Sequence, residues 1–264
     1  MNPISSLSLS EIRYIFTDVD GTLTTRDKIS AITYQSLWNL QSAGFHIIPV
    51  TGRPAGWCEL IARQWPVHGV IGENGAFYFR HHQNSMKRHF YASKVERQKY
   101  SEQLNQIEKE VLQKVPRSQV ASDQFSRLFD LAIDFAEDVK PPLPETEIRK
   151  IVEIFESHGA TCKVSHIHVN GWFGSQEKGT ACFDYAKREL NLNSAEEIQS
   201  QCLYVGDSPN DEPLFERFQQ SVGVANVLEY QSFMKSLPKY ITPSKEGDGF
   251  VELAQHLLTS SKSS

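Results

Sequence analysis

Short runs of β-branched and aromatic residues alternate along the chain with longer stretches whose apolar positions recur every three to four residues. The first run is Tyr14–Thr17, "YIFT". "ISAITYQSLWNLQSAG" follows, with Ser30 in an N-cap position, Ala31, Tyr34, Leu37, Trp38 and Leu40 forming an apolar side, and Gly44 as a stop. "FHIIPV" reads as a second strand and "VHGVIG" as a third. Between them "RPAGWCELIARQ" reads as a helix, with Pro54 in the first turn, where a missing N–H costs nothing. The rhythm returns late in the chain: "EKGTACFDYAKREL" is a helix, "QCLYVGD" a strand, "DEPLFERFQ" a helix and "SVGVAN" a strand. "PKYIT" is then a short edge strand and "GFVELAQHLL" the last helix. Strand and helix in this alternation build a parallel sheet covered on both faces, with right-handed crossovers.

The middle of the chain breaks the rhythm. "ENGAFYFRHHQNSMKRHFYAS" has the form of a hairpin, and a polar helix runs from about Lys94 to Lys114. "RLFDLAIDF" alternates apolar and polar residues, which predicts a strand with one wet face. "PPLPETEIRKIVEIFESHG" is an amphipathic helix with a Pro-rich entry, and "TCKVSHIHVNGWF" supplies one or two more strands. An antiparallel αβ segment between two halves of a parallel domain predicts an insertion at residues 81–172, with 1–80 and 173–264 forming the core.

Composition narrows the function classes. A chain of 264 residues suits one large domain or two smaller ones, and a net charge of −5 argues against a nucleic-acid binder. No segment has the run of apolar residues that a membrane helix needs. The start "MNPISSLSLSEIR" lacks the basic and apolar regions of a signal peptide. Cys58, Cys162, Cys182 and Cys202 are scattered, as buried free thiols are, rather than spaced for disulfides or zinc. Together these predict a cytoplasmic protein. The tail "TSSKSS" is expected to be disordered.

Four features carry chemistry, each at the end of a parallel strand or the start of a helix, where open α/β sheets place their sites. In "TDVDGT", Asp18 and Asp20 project to one side of an extended chain, and two carboxylates facing one point need a cation. Hard oxygen ligands with few protein donors suit Mg2+. In "PVTGRP", the Thr51 hydroxyl and the Gly52 N–H make a small anion cradle or a helix cap. Lys178 in "SQEKGT" opposes the dipole of the helix it starts, which a negative partner would explain. "YVGDSPNDEPLF" sets Asp207, Asn210 and Asp211 after a buried strand, in a turn-forming composition.

The order Asp-x-Asp-Gly-Thr, Thr-Gly-Arg, an insertion, Lys, then Gly-Asp-x-x-Asn-Asp resembles the haloacid dehalogenase superfamily, in particular its Cof-type, subclass IIB, sugar-phosphatase-like branch. The resemblance implies an α/β fold: a Rossmann-like parallel-sheet core with helices on both faces and an inserted α+β cap that closes over the site. It implies a phosphoric monoester hydrolase acting on a small phosphorylated metabolite, most plainly a sugar phosphate. Asp18 would be the nucleophile that becomes an aspartyl-phosphate, and Asp20 the general acid and then base. Dehalogenases of this superfamily lack the second aspartate, so dehalogenation is disfavoured. Asp18, the Asp20 carbonyl, Asp207 and Asp211 would form the Mg2+ site. Thr51, Gly52, Lys178 and Asn210 would hold phosphate. Asn74 resembles a position at the rim of the site.

Cap residues are less determined. His166, His168, Asn170 and Trp172 could reach a sugar or serve only to pack a strand. Arg80, Lys87 and Arg88, with three neighbouring histidines, could be a solvated hairpin edge or steer an anionic substrate. Two other functions fit the same scaffold: a phosphomutase of the phosphomannomutase type, and a non-catalytic sugar-phosphate-binding protein, which would have no use for Asp20. No nucleic acid or membrane partner is expected. No interface pattern separates monomer from dimer.

Overall fold

A computed structural model describes residues 1–8, 11–165 and 167–260 of the chain. They form two compact units: residues 1–52, 58–89 and 177–264 in the first, and 53–57 with 90–176 in the second. Among the described residues no helix is long and apolar enough to cross a membrane.

The first unit is built on a six-stranded parallel sheet. Its order is Asn2–Pro3, Tyr240–Ile241, Ser221–Gly223, Cys202–Gly206, Tyr14–Thr17 and His46–Pro49. Tyr14–Thr17 therefore lies between the strand that follows it and one some 190 residues later in the chain, in register Tyr14 with Cys202 and with His46. The chain winds away in opposite directions from this point, which opens a crevice at the carboxyl ends of the two central strands. Ile15, Ile47, Leu203 and Val205 are buried on one face of the sheet, under the helices Ala31–Ser42 and Glu246–Ser260. Phe16, Ile48, Tyr204 and the helix Lys178–Glu189 form the core of the other face. Ser30 caps its helix as expected, accepting from the Thr33 N–H at 3.2 Å.

Several local expectations need correction. Ala31 and Trp38 are exposed; the buried side of their helix is Thr33, Ser36, Leu37 and Leu40. Tyr240–Ile241 is not at the sheet edge, because Asn2–Pro3 pairs outside it. Val70–Gly72 touches the parallel sheet through a single bridge, Val50 to Ile71, and pairs antiparallel with Phe77–Phe79. It thus starts a three-stranded sheet with the hairpin Phe77–His82 and Ser85–Phe90. Gln83 and Asn84 both take positive φ, 48° and 61°, the geometry of a two-residue hairpin turn. The final helix extends through Thr259 and Ser260, while 261–264 lie outside the described residues. Cys162 is half-buried, and the other three free cysteines are buried.

The hairpin's basic residues are all paired, Lys87 and Arg88 at the exposed edge and Arg80 half-buried. Arg80 and Lys87 pair with Glu189 at 3.0 and 2.6 Å, and Arg88 pairs with Glu59 at 2.7 Å. Glu189 also accepts from the Tyr78 hydroxyl at 2.6 Å. It ends the helix that Lys178 begins, so both terminal charges oppose the helix dipole and both are satisfied by partners.

The second unit is a four-stranded antiparallel sheet in the order Thr161–Val164, His168–Trp172, Asp130–Asp134, Gln119–Val120. The helices Lys94–Lys114 and Glu145–Ser157 cover one face, burying Ile107, Val111, Leu131, Ile133, Ile151 and Phe155. Asp130–Asp134 is buried at every position, contrary to the expected wet face. Its carboxylates are matched instead: Asp130 by Arg127 and Asn170, and Asp134 by the backbone N–H groups of 136, 137 and 138 at 2.8 Å.

Glu189 gathers three donors on a side chain that is 3% exposed. Glu189→Ala is expected to cost about 3 kcal/mol in urea denaturation, the range for breaking a buried ion pair. A loss below about 1 kcal/mol would place it with ordinary surface pairs.

Candidate active site

The site forms at the carboxyl ends of the two central strands of the first unit. Asp18 directly follows Tyr14–Thr17 and is buried, and its N–H donates to the Val205 carbonyl at 2.9 Å. Val19 turns into the apolar core, and the half-buried Asp20 follows it. Gly21 then takes φ +77°, and a Cβ there would lie 2.6 Å from Asp207 Oδ2. Only glycine lets the chain turn so close to that carboxylate.

Lys178 is buried at the helix start and has the negative partners its position calls for. Its Nζ donates to Asp18 Oδ1 at 2.7 Å and to Asp211 Oδ1 at 3.3 Å. Burial alone would lower the Lys178 pKa, but Asp18 and Asp211 outweigh it and hold the group charged. The loop before it is packed against the Asn74 turn: a Cβ on Gly75, at φ +99°, would meet the Glu177 carbonyl at 2.5 Å. Asn74, itself at φ +56°, donates its N–H to the Thr51 carbonyl at 3.2 Å, and its side chain lies beside Gly52. Thr51, Gly52, Asn74 and Lys178 thus belong to one rim.

Asp207 and Asp211 follow the strand Cys202–Gly206. Asp211 is fully buried. Its Oδ1 accepts from Tyr204 at 2.5 Å and from Lys178, and its Oδ2 from the N–H groups of Asp207 and Ser208 at 3.0 and 3.2 Å. Asp207 keeps more capacity: Oδ1 accepts from the Thr22 hydroxyl at 3.2 Å and Oδ2 from the Asn226 amide at 2.8 Å. Asn210 is half-buried in the same turn, and no hydrogen bond joins it to Lys178 among the described residues.

Asp18, Asp207 and Asp211 each present an oxygen within 4.8 Å of the other two. Burial pushes the Asp18 carboxyl up to about 7 against the pull of Lys178, with Asp211 and Asp20 adding to the rise. Burial, then Asp211 and Asp18, also hold Asp207 well above the usual carboxylate range. One ammonium does not balance this much negative charge in a closed space. An oxygen-only donor set with an excess of negative charge fits Mg2+. Asp18 and Asp207 would hold the ion, with Asp211, already saturated by its donors, as the support behind them.

The cap candidates are placed differently. His166 lies outside the described residues. His168 is buried in the second unit, with Nε2 2.9 Å from Glu137 Oε2 but out of line for a hydrogen bond. The Asn170 amide is taken by Asp130 at 2.9 Å. Trp172 is buried as well. Sequence reasoning missed Thr22, Tyr204 and Asn226 around the carboxylates. Asn226 alone left a signal, a polar residue directly past the carboxyl end of "SVGVA".

Residues 15–123 match the family model described as haloacid dehalogenase-like hydrolase. A Thermoplasma acidophilum protein of solved structure aligns over 94% of this chain and 98% of its own, at 20% identity and TM-score 0.72. The chain has the haloacid dehalogenase-like hydrolase fold. The C-terminal domain of a trehalose-6-phosphate phosphatase from C. albicans also matches it, at 17% identity and TM-score 0.69, covering 94% of this chain and 92% of that one. A haloacid dehalogenase subclass IIB sugar phosphatase matches at 15% identity and TM-score 0.61, covering 92% and 98%. Among curated proteins none matches by sequence. The resemblance read in the motifs thus holds at the level of family model and fold.

In the metal-free protein the raised Asp18 pKa disfavours the folded state as pH climbs from about 4, the unfolded value, to about 7. Asp18→Asn mimics the neutral form and escapes that loss. Denaturation in chelator should find Asp18→Asn the more stable protein at pH 8, with the advantage gone by about pH 4. An advantage independent of pH would contradict the burial-raised carboxyl.

Proposed function

We propose that the protein is a Mg2+-dependent phosphatase of a small phosphorylated metabolite, a sugar phosphate in the first instance, working through an aspartyl-phosphate. The observation that carries this reading is the buried Lys178–Asp18 contact of 2.7 Å beside Asp207 and Asp211. A nucleophilic carboxylate, a fixed cation for the phosphoryl group and a second carboxylate, Asp207, with capacity left for a metal stand together. The subclass IIB sugar phosphatase and the trehalose-6-phosphate phosphatase that share the fold support the substrate class.

Asp18 attacks phosphorus as the bond from phosphorus to the leaving oxygen breaks. Asp20 gives that oxygen its proton. Asp20 then takes a proton from water, which attacks the same phosphorus and returns Asp18 with release of phosphate. Lys178, the Thr51 hydroxyl and the Gly52 N–H hold the transferring oxygens, where charge accumulates. Asn210, with no bond to Lys178, is left to face the phosphate. Mg2+, when bound, screens the repulsion between a carboxylate and a phosphate dianion. Splitting one displacement into two lowers each barrier. The second unit serves as the cap that selects substrate and excludes water during transfer. Neither His168 nor Asn170 enters this proposal, since His168 is buried beside Glu137 and the Asn170 amide is taken by Asp130 within that unit. Four free cysteines agree with a reducing, cytoplasmic location.

Phosphate release from an aryl phosphate and from a panel of phosphorylated sugars is the test. Asp18→Asn should abolish turnover with the fold intact. Asp20→Asn should slow it by about 10²–10⁴, most for alkyl leaving groups. Wild-type protein that releases no more phosphate with Mg2+ than Asp18→Asn, on every compound, would end this reading.

A further inference from the structure

We infer that Asn226 is a positioning residue for the cation site, holding the Asp207 carboxylate in the orientation that binds metal; the inference rests on the Mg2+-dependent reading above. Asn226 follows the strand Ser221–Gly223 and is half-buried beside the Asp-x-Asp loop. Its Nδ2 donates to Asp207 Oδ2 at 2.8 Å and to the Gly21 carbonyl at 3.1 Å. Its Oδ1 accepts the Glu246 N–H at 2.9 Å. Two amide hydrogens meet two acceptors and the amide oxygen meets a donor, so a flipped amide would face like against like at all three contacts. The backbone just before it is fixed too: the Val224 N–H donates to the Gly206 carbonyl at 3.1 Å and the Ala225 N–H to the Ser244 carbonyl at 3.0 Å.

One side chain therefore ties the loop of the nucleophile, the carboxylate on the neighbouring strand and the start of the last helix. The choice of an amide has a further consequence. Asp207 is held by two neutral donors, Thr22 and Asn226, whereas Asp18 and Asp211 share the Lys178 ammonium. A neutral donor fixes a carboxylate without cancelling its charge, which leaves Asp207 available to a dication. A lysine at 226 would compete with the metal. The pocket is thereby divided into an ammonium side for phosphate and an amide-held side for the cation.

The test uses the full chain as wild type and Asn226→Ala, freed of metal by chelation. Two quantities are read: the rise in thermal midpoint on adding Mg2+, and the Mg2+ concentration giving half-maximal turnover of an aryl phosphate. Asn226→Ala should show a smaller Mg2+-induced rise and a half-saturating Mg2+ about 10–100-fold higher, with a lesser change in kcat at saturation. Asn226→Ser is the milder variant should the alanine protein not fold, with the same direction expected. A midpoint lowered equally with and without Mg2+, at unchanged half-saturating Mg2+, would reduce Asn226 to a structural tie and overturn the inference alone. A wild type with neither a Mg2+-induced rise nor turnover would overturn the phosphatase reading and this inference with it.

Discussion

Three buried carboxylates gather within 4.8 Å of one another, a single ammonium is bonded to two of them, and the rest of the site follows from that imbalance. Lys178 sits where a helix dipole repels it, removed from water, and is retained only because Asp18 and Asp211 hold it. Asp18 in turn is raised toward neutrality by burial and by its acidic neighbours. No single pair is satisfied alone. A dication and a phosphoryl dianion would together restore balance, since each supplies the sign the other half of the pocket lacks. Binding two oppositely charged ligands would relieve that tension.

The fold makes this arrangement by geometry rather than by chain proximity. Asp18 and Lys178 are 160 residues apart and meet because the strands Tyr14–Thr17 and Cys202–Gly206 are neighbours. The helix that carries Lys178 is pinned at both ends, by Asp18 and Asp211 at its start and by Tyr78, Arg80 and Lys87 through Glu189 at its end. The hairpin read as a solvated basic edge is thus part of what fixes Lys178 in place. Gly21 and Gly75 allow two backbone approaches that any side chain would block.

Much of this was legible along the chain because parallel strands announce themselves as apolar runs and their ends as turns rich in Asp, Gly and Thr. Asp18, Lys178, Asp207 and Asp211 stood out because charge at the end of a buried strand or at the wrong end of a helix needs a reason. The partners of those charges were not legible. Thr22 carries no local mark as a donor to Asp207, and the place of Asn226 just past its strand does not name its partner, since their contacts span 185 and 19 residues. The strand Asp130–Asp134 misled for the opposite reason. Alternation of acidic and apolar residues looks like a wet face, yet Arg127, Asn170 and a turn of backbone N–H groups bury its charges. The helix Ala195–Gln201 was passed over because it is short, its capping box notwithstanding.

The central claim is that Asp18 becomes covalently phosphorylated beside Lys178. Its most direct test is to quench the protein in acid during steady turnover of a phosphorylated sugar with Mg2+, reduce any acyl phosphate with borohydride, and map the peptides by mass spectrometry. Reduction is expected at Asp18 alone, dependent on substrate. Rapid phosphate release with no modification at Asp18, or with modification at another residue, would contradict it.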